Sequence, residues 1–459
     1  MTSTLVQDAA MPAPGHKAPP LAPLGLGQKL AYGCGDLSSN LVWGLMLSYL
    51  MYYYTDIYVI PAATVAWLLL VPRVFDAFAD PMVGYLVDRS GGRHVTRLMG
   101  LLAVPFGLAT FLCFLPLPLG PQGKLAWAFG SYLLLGGVYS AVNTPYGVLS
   151  NMMAIRPQER VSLNAFRLAG CQLGQIIVAS LTLPAIAFLG GGGSLAQQQH
   201  GITWLAALLG AGAAALWLVT WRSCRVRRAL PLEVHGPVTL LRTLIGNRRW
   251  HLSNVLTYLN FTVFCSEGGL TIHYTRFVLG HPARDASLLL TLATVSAFAG
   301  VLVIPAVTRR FGIRHTYLGL LLWEMGCLAG MALAGSNFTL FATFMALQYL
   351  ANGPVSPLCL AMLSEAVDEG RARTGIAAAG LAFSSNTLIS KVATGVAGFA
   401  IATFLAQGHY RPDLAAPSAQ LVGWLKLGFM GLPAAAITIA FLLVWASRPD
   451  HHQLADTHD

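Results

Sequence analysis

Stretches of about 20 apolar residues, each long enough to cross a ~30 Å hydrocarbon core as helix, recur along this chain and leave it few folds to choose from. Twelve begin near Leu30, Pro61, Leu98, Leu125, Leu163, Ile202, His251, Ser287, Tyr317, Phe338, Gly375 and Leu421. Composition agrees: 55% of the 459 residues are hydrophobic and 10% are charged, against about 25% charged in soluble domains. The expected fold is an all-α membrane protein of twelve transmembrane helices.

A net charge of +10 raises the question of a nucleic-acid partner, and the placement of the basic residues answers it. Arg89, Arg93 and Arg97 follow span two, Arg156 and Arg160 span four, and Arg222, Arg225, Arg227, Arg228, Arg242, Arg248 and Arg249 span six. Arg309, Arg310 and Arg314 follow span eight, and Arg371 and Arg373 span ten. The opposite loops hold little beyond Lys124, Arg284 and Arg411, with Arg276 near the end of span seven. This is the positive-inside pattern, and it places both termini in the cytoplasm. The charge reports topology and implies no nucleic acid. The seven cysteines show no metal or redox spacing and read as small buried hydrophobes.

The polar stretch Arg222 to Trp250 divides the chain into six spans plus six. The expected organisation is a disordered cytoplasmic tail over 1–28 that does not read as a signal peptide, a six-helix bundle over 29–222, a cytoplasmic loop over 223–250, a second bundle over 251–446 and a tail over 447–459. "RSGGRH" (Arg89 to His94) and "RFGIRH" (Arg310 to His315) share R-x-G-x-R-H in matching loops of the two halves, which points to duplication. Paired halves around a midplane site are a design of alternating-access transporters. Gly84, Asp88, Arg89, Gly91 and Arg93 also resemble the G-x-x-x-D-R-x-G-x-R loop of the major facilitator superfamily. Asp88, Arg89 and Arg93 are therefore candidate gating residues that latch the halves by ion pairs.

Charges inside the apolar runs are the next constraint. Asp76 and Asp80 lie four apart on span two, with Arg73 three before Asp76, so all three share one helical face. A charge at the bilayer centre costs about 2.5–3.5 kcal/mol on insertion scales, so such groups face a protein interior or a wet cavity. Two neighbouring carboxylates do not both ionise comfortably without a cation. Arg73 supplies one positive charge, and an exchangeable Na+ or proton fits the remainder, with Asp76 and Asp80 as its ligands; a structural Arg–Asp salt bridge is the rival reading. Asp36 and Asn40 repeat the spacing on span one, span four holds Ser140 and Asn143, and span five opens with Asn164 and Arg167. Lys391 lies about sixteen residues, or ~24 Å of helix, into span eleven, too deep to snorkel easily; its expected targets are Asp76 and Asp80. For Glu267 and Glu324 two readings stand, proton binding and hydrogen bonding at a helix end, with the second preferred.

"YGCGDLSSN" (Tyr32 to Asn40), "YLMYYYTD" (Tyr49 to Asp56), "PRVFDAFADPMVG" (Pro72 to Gly84), "NTPYGVLS" (Asn143 to Ser150), "ERVSLNAFR" (Glu159 to Arg167) and "MLSEAVDEGRARTG" (Met362 to Gly375) followed by Lys391 touch both halves in order. Together they resemble the glycoside–pentoside–hexuronide:cation symporters, the melibiose-carrier relatives within the major facilitator superfamily. The resemblance implies a cation site of Asp76 and Asp80 helped by Ser140 and tuned by Lys391, and a sugar pocket lined by Asn40, Asn143 and Arg167. Asp36 and Lys391 join the candidate substrate ligands, and Tyr146, Tyr139, Trp43 and Tyr53 are candidates for the apolar wall, with helix-interface packing the preferred reading for any one of them. In the melibiose branch acids stand where this chain has Asn40 and Asn143, and a sugar-stacking aromatic stands where it has Gly147, which argues against galactosides. Arg371 replaces an acid of the family's cytoplasmic stretch, while Glu365 and Asp368 keep the preceding acids as candidate gating residues.

The expected function is cation-coupled symport, with Na+ or H+, of a sugar or glycoside across the bacterial inner membrane by alternating access. The alternative is a cation-coupled carrier of a lysophospholipid or other amphiphile. No G-x-S-x-G, H-E-x-x-H or Walker pattern is present, so no enzyme is expected. No cofactor is expected beyond the coupling ion, and a monomer in the bilayer suffices.

Overall fold

The computed structural model describes residues 24–89, 95–154, 157–227, 242–375, 379–412, 414 and 416–447. Among these the chain is helical with no strand. The helices are α1 (Leu26–Tyr52, running on through a π-helical turn Tyr53–Ile57), α2 (Ala62–Arg89), α3 (Val95–Cys113), α4 (Pro121–Met153), α5 (Pro157–Gly190) and α6 (Leu195–Ser223). They continue as α7 (Arg248–Phe277), α8 (286–311), α9 (313–334), α10 (Phe338–Thr374), α11 (Ala379–Gln407) and α12 (Ala419–Lys426, extended through a π-helical turn to Ala446). Seven stretches are long and apolar enough to cross a membrane. Helices α1, α7 and α10, each with buried Asp, Asn, Glu or Gln residues, are not among them.

Local chemistry sets the ends. Ser194 begins α6 with a reciprocal capping box to Gln197, and Asn247, Asn337 and Ser418 cap α7, α10 and α12. Between α8 and α9 the helix path breaks at Gly312, whose φ of 73° suits a residue without a β-carbon. Gly312 lies inside the second R-x-G-x-R-H; residues 90–94 of the first lie outside the described residues. Arg314 of that motif donates to the carbonyls of Trp445 and Ser447 at 2.9 Å each and so closes the end of α12.

Helices α1 to α6 pack against one another, as do α7 to α12, and the two sets meet where α2 lies on α11, α1 on α7 and α5 on residues 286–334. Helices α1 and α7 run parallel, because the turn after α1 meets the last turns of α7. Their starting ends, with the last described residues of α12, therefore share one end of the bundle, called here the terminal end; the opposite end is the distal end. All seven cysteines are free and five are buried, as their apolar settings suggest.

Candidate functional site

Helices α1 and α5 approach so closely that side chains are excluded between them. A methyl group on Gly33 would lie 2.7 Å from the Phe166 carbonyl oxygen, and one on Gly170 would collide with the Gly33 carbonyl. This contact sets the polar faces of the two helices side by side. Arg167 Nε lies 3.5 Å from Asp36 Oδ2. Asn40 donates to the Asp36 carbonyl at 2.8 Å, and its own side-chain oxygen accepts from Gln175 at 3.2 Å. From α4, Asn143 accepts the Ser39 hydroxyl at 2.9 Å. Asp36, Asn40, Asn143 and Arg167 thus form one cluster, to which the structure adds Ser39 and Gln175.

Tyr146 follows the packing reading. It is fully buried, its hydroxyl donates to the Tyr32 carbonyl at 2.6 Å, and its ring stacks on Tyr32 at 4.7 Å and meets Trp217 edge-on. Its polar group is spent on α1, so Tyr146 holds α4 against α1 and leaves only ring surface beneath the Arg167 guanidinium.

The second cluster is built around α2. Arg73 and Asp76 are both buried and lie 3.3 Å apart. The Arg73 guanidinium sits 4.7 Å above Trp43 and 5.5 Å from the Tyr132 ring, and Trp43 in turn packs on Tyr139. Aromatic faces that hold a desolvated cation contribute about 2 kcal/mol, so the charge is stabilised on two sides. Gly136 on α4 makes room for the carboxylate: a β-carbon there would run into Asp76 Oδ1. One turn along α4, Ser140 accepts a hydrogen bond from Lys391 Nζ at 2.9 Å. Lys391 comes from α11, so this bond spans the two helix sets. Lys391 is expected at Asp76 or Asp80; the described residues show the Ser140 hydroxyl as one partner, and both Lys391 and Asp76 make further interactions. Asp80 follows one turn along α2, but its side chain lies outside the described residues. A cavity of about 40 Å³ lined by Arg73, Tyr132, Cys265, Gly269 and Thr394 touches this cluster between the sets, room enough for a water molecule.

The remaining expected residues separate. The side chains of Asp88 and Arg89, at the end of α2, and all of Arg93 lie outside the described residues. Glu365 is half-buried and Asp368 exposed near the terminal end of α10. The acid that forms ion pairs there is Glu369, 2.9 Å from Arg249 and 3.9 Å from Arg373. It stands next to Asp368 in sequence, yet only the register of α10 against α7 decides which of the three acids faces Arg249. Glu267 and Glu324 are not at helix ends: Glu267 lies ten residues before the close of α7 and Glu324 ten before the close of α9. Free helix-end N–H groups are therefore out of reach, and side-chain amides of α10 serve both acids instead.

Sequence reasoning missed a third group at the distal end. Asp56, in the π-helical turn after α1, accepts from Thr55 at 2.7 Å and from the Tyr410 hydroxyl, and lies 3.2 Å from His273 Nε2 and 3.5 Å from Arg276. His273 and Arg276 lie on α7 and Tyr410 follows α11, so one carboxylate ties both helix sets together. Val59, just beyond, holds φ at 58°, a conformation that a β-branched residue adopts only under constraint. The one signal available in sequence was that Asp56 closes the "YLMYYYTD" motif. Among the described residues, every hydrogen bond or ion pair between the two helix sets lies at the Lys391–Ser140 level or distal to it. The Arg167 side chain is 40% exposed while that of Asp56 is 6% exposed, so solvent reaches the α1–α5 cluster while the distal group is closed off.

If Asn143 meets the ligand as well as Ser39, Asn143→Ala removes about one neutral hydrogen bond, worth around 1 kcal/mol, and leaves the α2 cluster alone. Isothermal titration is expected to show sugar affinity falling about fivefold to tenfold with cation affinity unchanged.

Residues 31–448 match the family model described as MFS/sugar transport protein. The isoprimeverose transporter of Lactiplantibacillus pentosus is 28% identical over 445 residues, covering 94% of this chain and 90% of that protein. A putative glycoside/cation symporter of Escherichia coli is 26% identical over 420 residues, covering 91% and 90% respectively. Among solved structures, a D-xylose-proton symporter superposes with a TM-score of 0.67 at 13% identity, over 92% of this chain and 98% of that one; this likeness concerns the fold alone.

Proposed function

We propose, from the premise that this chain belongs to the MFS/sugar transport protein family, that it carries a sugar or glycoside together with a monovalent cation, Na+ or H+, by alternating access. The chain is a multi-pass membrane transporter and not an enzyme. Its twelve helices form two six-helix halves, α1–α6 and α7–α12, with both termini cytoplasmic, a reading supported by the arginine-rich loops; the distal end then faces outward.

One observation carries this reading. The buried Arg73–Asp76 pair is fitted against Gly136, beside a Lys391–Ser140 bond that joins the halves. Asp80 stands one turn from Asp76, so with Arg73 and Lys391 the group holds two acids and two bases. In the empty carrier Lys391 offsets the second carboxylate. An arriving cation replaces Lys391 as that counter-charge, which loosens the tie between α4 and α11 and couples ion binding to the relative position of the halves. Such coupling requires the cation to favour the sugar-competent state. Asp36, Asn40, Asn143 and Arg167 form the hydroxyl-binding wall, since amides donate and accept at once. The two relatives above are named for sugars or glycosides and neither for a lysolipid, so the amphiphile reading carries less weight.

Proteoliposomes given a panel of radiolabelled α-glycosides, pentosides and hexuronides, with and without Na+ at two pH values, test the proposal. At least one solute is expected to accumulate under an inward cation gradient and to exchange in counterflow. Uptake indifferent to both Na+ and pH would leave a facilitator and remove the coupling.

A further inference from the structure

Two carboxylates in the α7–α12 set take no part in the reading above. Glu267 on α7 and Glu324 on α9 are each 1% exposed, and they lie close enough to act on one another electrostatically. Both receive donors from α10: Gln348 Nε2 reaches Glu267 Oε1 at 2.6 Å, and Asn352 Nδ2 reaches Glu324 Oε2 at 3.4 Å. Each amide gives one N–H to a carboxylate, and the Tyr349 hydroxyl also bears on Glu267. Glu267 Oε2, Glu324 Oε1 and the side-chain oxygen of the fully buried Gln348 are left without a hydrogen-bond partner. The titratable groups facing the pair are Tyr349 and Cys359 from α10 and Tyr317 and Cys327 from α9. Among the described residues no Lys, Arg or His acts on either carboxylate, from α11 and α12 included.

The atoms left over are all acceptors, so what the cluster lacks is donors. A buried, unpaired carboxylate is among the costliest groups a fold can hold, and two adjacent ones compound the cost. Protonation changes both terms at once, because it removes a charge and turns an acceptor into an O–H donor. We propose that Glu267 and Glu324 form a proton-binding site inside the second helix set, distinct from the Asp76 cluster. At neutral pH the pair holds at least one proton taken from water, with its O–H directed to the partner carboxylate or to Gln348 Oε1. Helix α7 also carries Cys265 and Gly269 to the cavity against Arg73, and His273 to Asp56 at the distal end. A shift of α7 on switching between states alters the surroundings of Glu267, so the proton is exchanged as the halves move. The site stands on its own geometry; its link to the cycle rests on the carrier reading.

Difference infrared spectroscopy of the full-length protein in lipid bilayers tests the site. Between mildly acidic and mildly alkaline pH a protonated-carboxyl carbonyl band is expected, identified by isotope-labelled glutamate in the wild type and diminished by Glu267→Gln and by Glu324→Gln, both of similar shape to the residue replaced. Addition of a transported sugar is expected to shift that band. A carboxyl region insensitive to glutamate labelling and identical in the wild type and both variants overturns the proposal. Counterflow in the same membranes separates the two ideas: the band without counterflow sinks the carrier reading and keeps the site, and counterflow without the band does the reverse.

Discussion

Asp76→Asn is expected to reduce cation-driven uptake at least a hundredfold while sugar still exchanges in counterflow. The magnitude follows from burial. Asp76 is 4% exposed and 3.3 Å from an Arg73 that is itself 3% exposed, and removal of one partner of such a pair costs about 3–5 kcal/mol, where ~1.4 kcal/mol is a factor of ten. Part of that loss falls on the fold, because Arg73 is left unpaired between Trp43 and Tyr132. The double variant Arg73→Gln/Asp76→Asn separates the two effects, since it removes the uncompensated charge together with the acid. Recovery of cation-driven uptake in the double variant would reduce Asp76 to a structural counter-ion of Arg73 and sink the coupling role. Gly136→Ala approaches the same carboxylate without touching a charge: its methyl group collides with Asp76 Oδ1, so uptake under an imposed gradient is expected to fall while counterflow persists.

What was legible beforehand followed from local pattern. The apolar runs place the helices to within seven residues of their observed starts, and residues four apart on one helix predict Asp36 with Asn40. The same logic fails wherever a contact depends on how two helices dock. Gln175 and Ser39 are unremarkable polar residues in their own helices, and only the glycine-lined approach of α5 and the packing of α4 bring them to Asn40 and Asn143. Glu369 rather than Glu365 or Asp368 pairs with Arg249 for a reason of register. For Tyr146 the sequence favours packing but does not reveal that its hydroxyl is spent on the Tyr32 carbonyl. The Asp56 group was hidden most completely, since Asp56 lies more than 200 positions from His273, Arg276 and Tyr410 and meets them only through closure of the two helix sets.

That closure yields the last expectation. Asp56→Asn is predicted to shift the resting protein towards the state open at the distal end by about a hundredfold. The carboxylate draws on His273 and Arg276 from α7 and on Tyr410 beyond α11, and hydrogen bonds that involve a charged group contribute about 1.5–3 kcal/mol each. An amide keeps the shape and some of these bonds but loses the charge, so a net loss near ~2.8 kcal/mol is a fair expectation, which is the stated factor in a two-state ratio. The Lys391–Ser140 bond and the α2–α11 packing lie deeper and remain. Cys265 provides the reporter: it lines the cavity beside Arg73 and is buried while the distal end is closed. In a variant that keeps Cys265 as its sole cysteine, labelling by a membrane-impermeant maleimide applied from the distal side should accelerate in proportion to the open population. His273→Gln should move the rate in the same direction by a smaller factor, because Arg276 and Tyr410 still hold the carboxylate. An unchanged labelling rate in Asp56→Asn would mean that apolar packing alone holds the distal end closed, and the polar tie between the helix sets would then be a consequence of closure and not its cause.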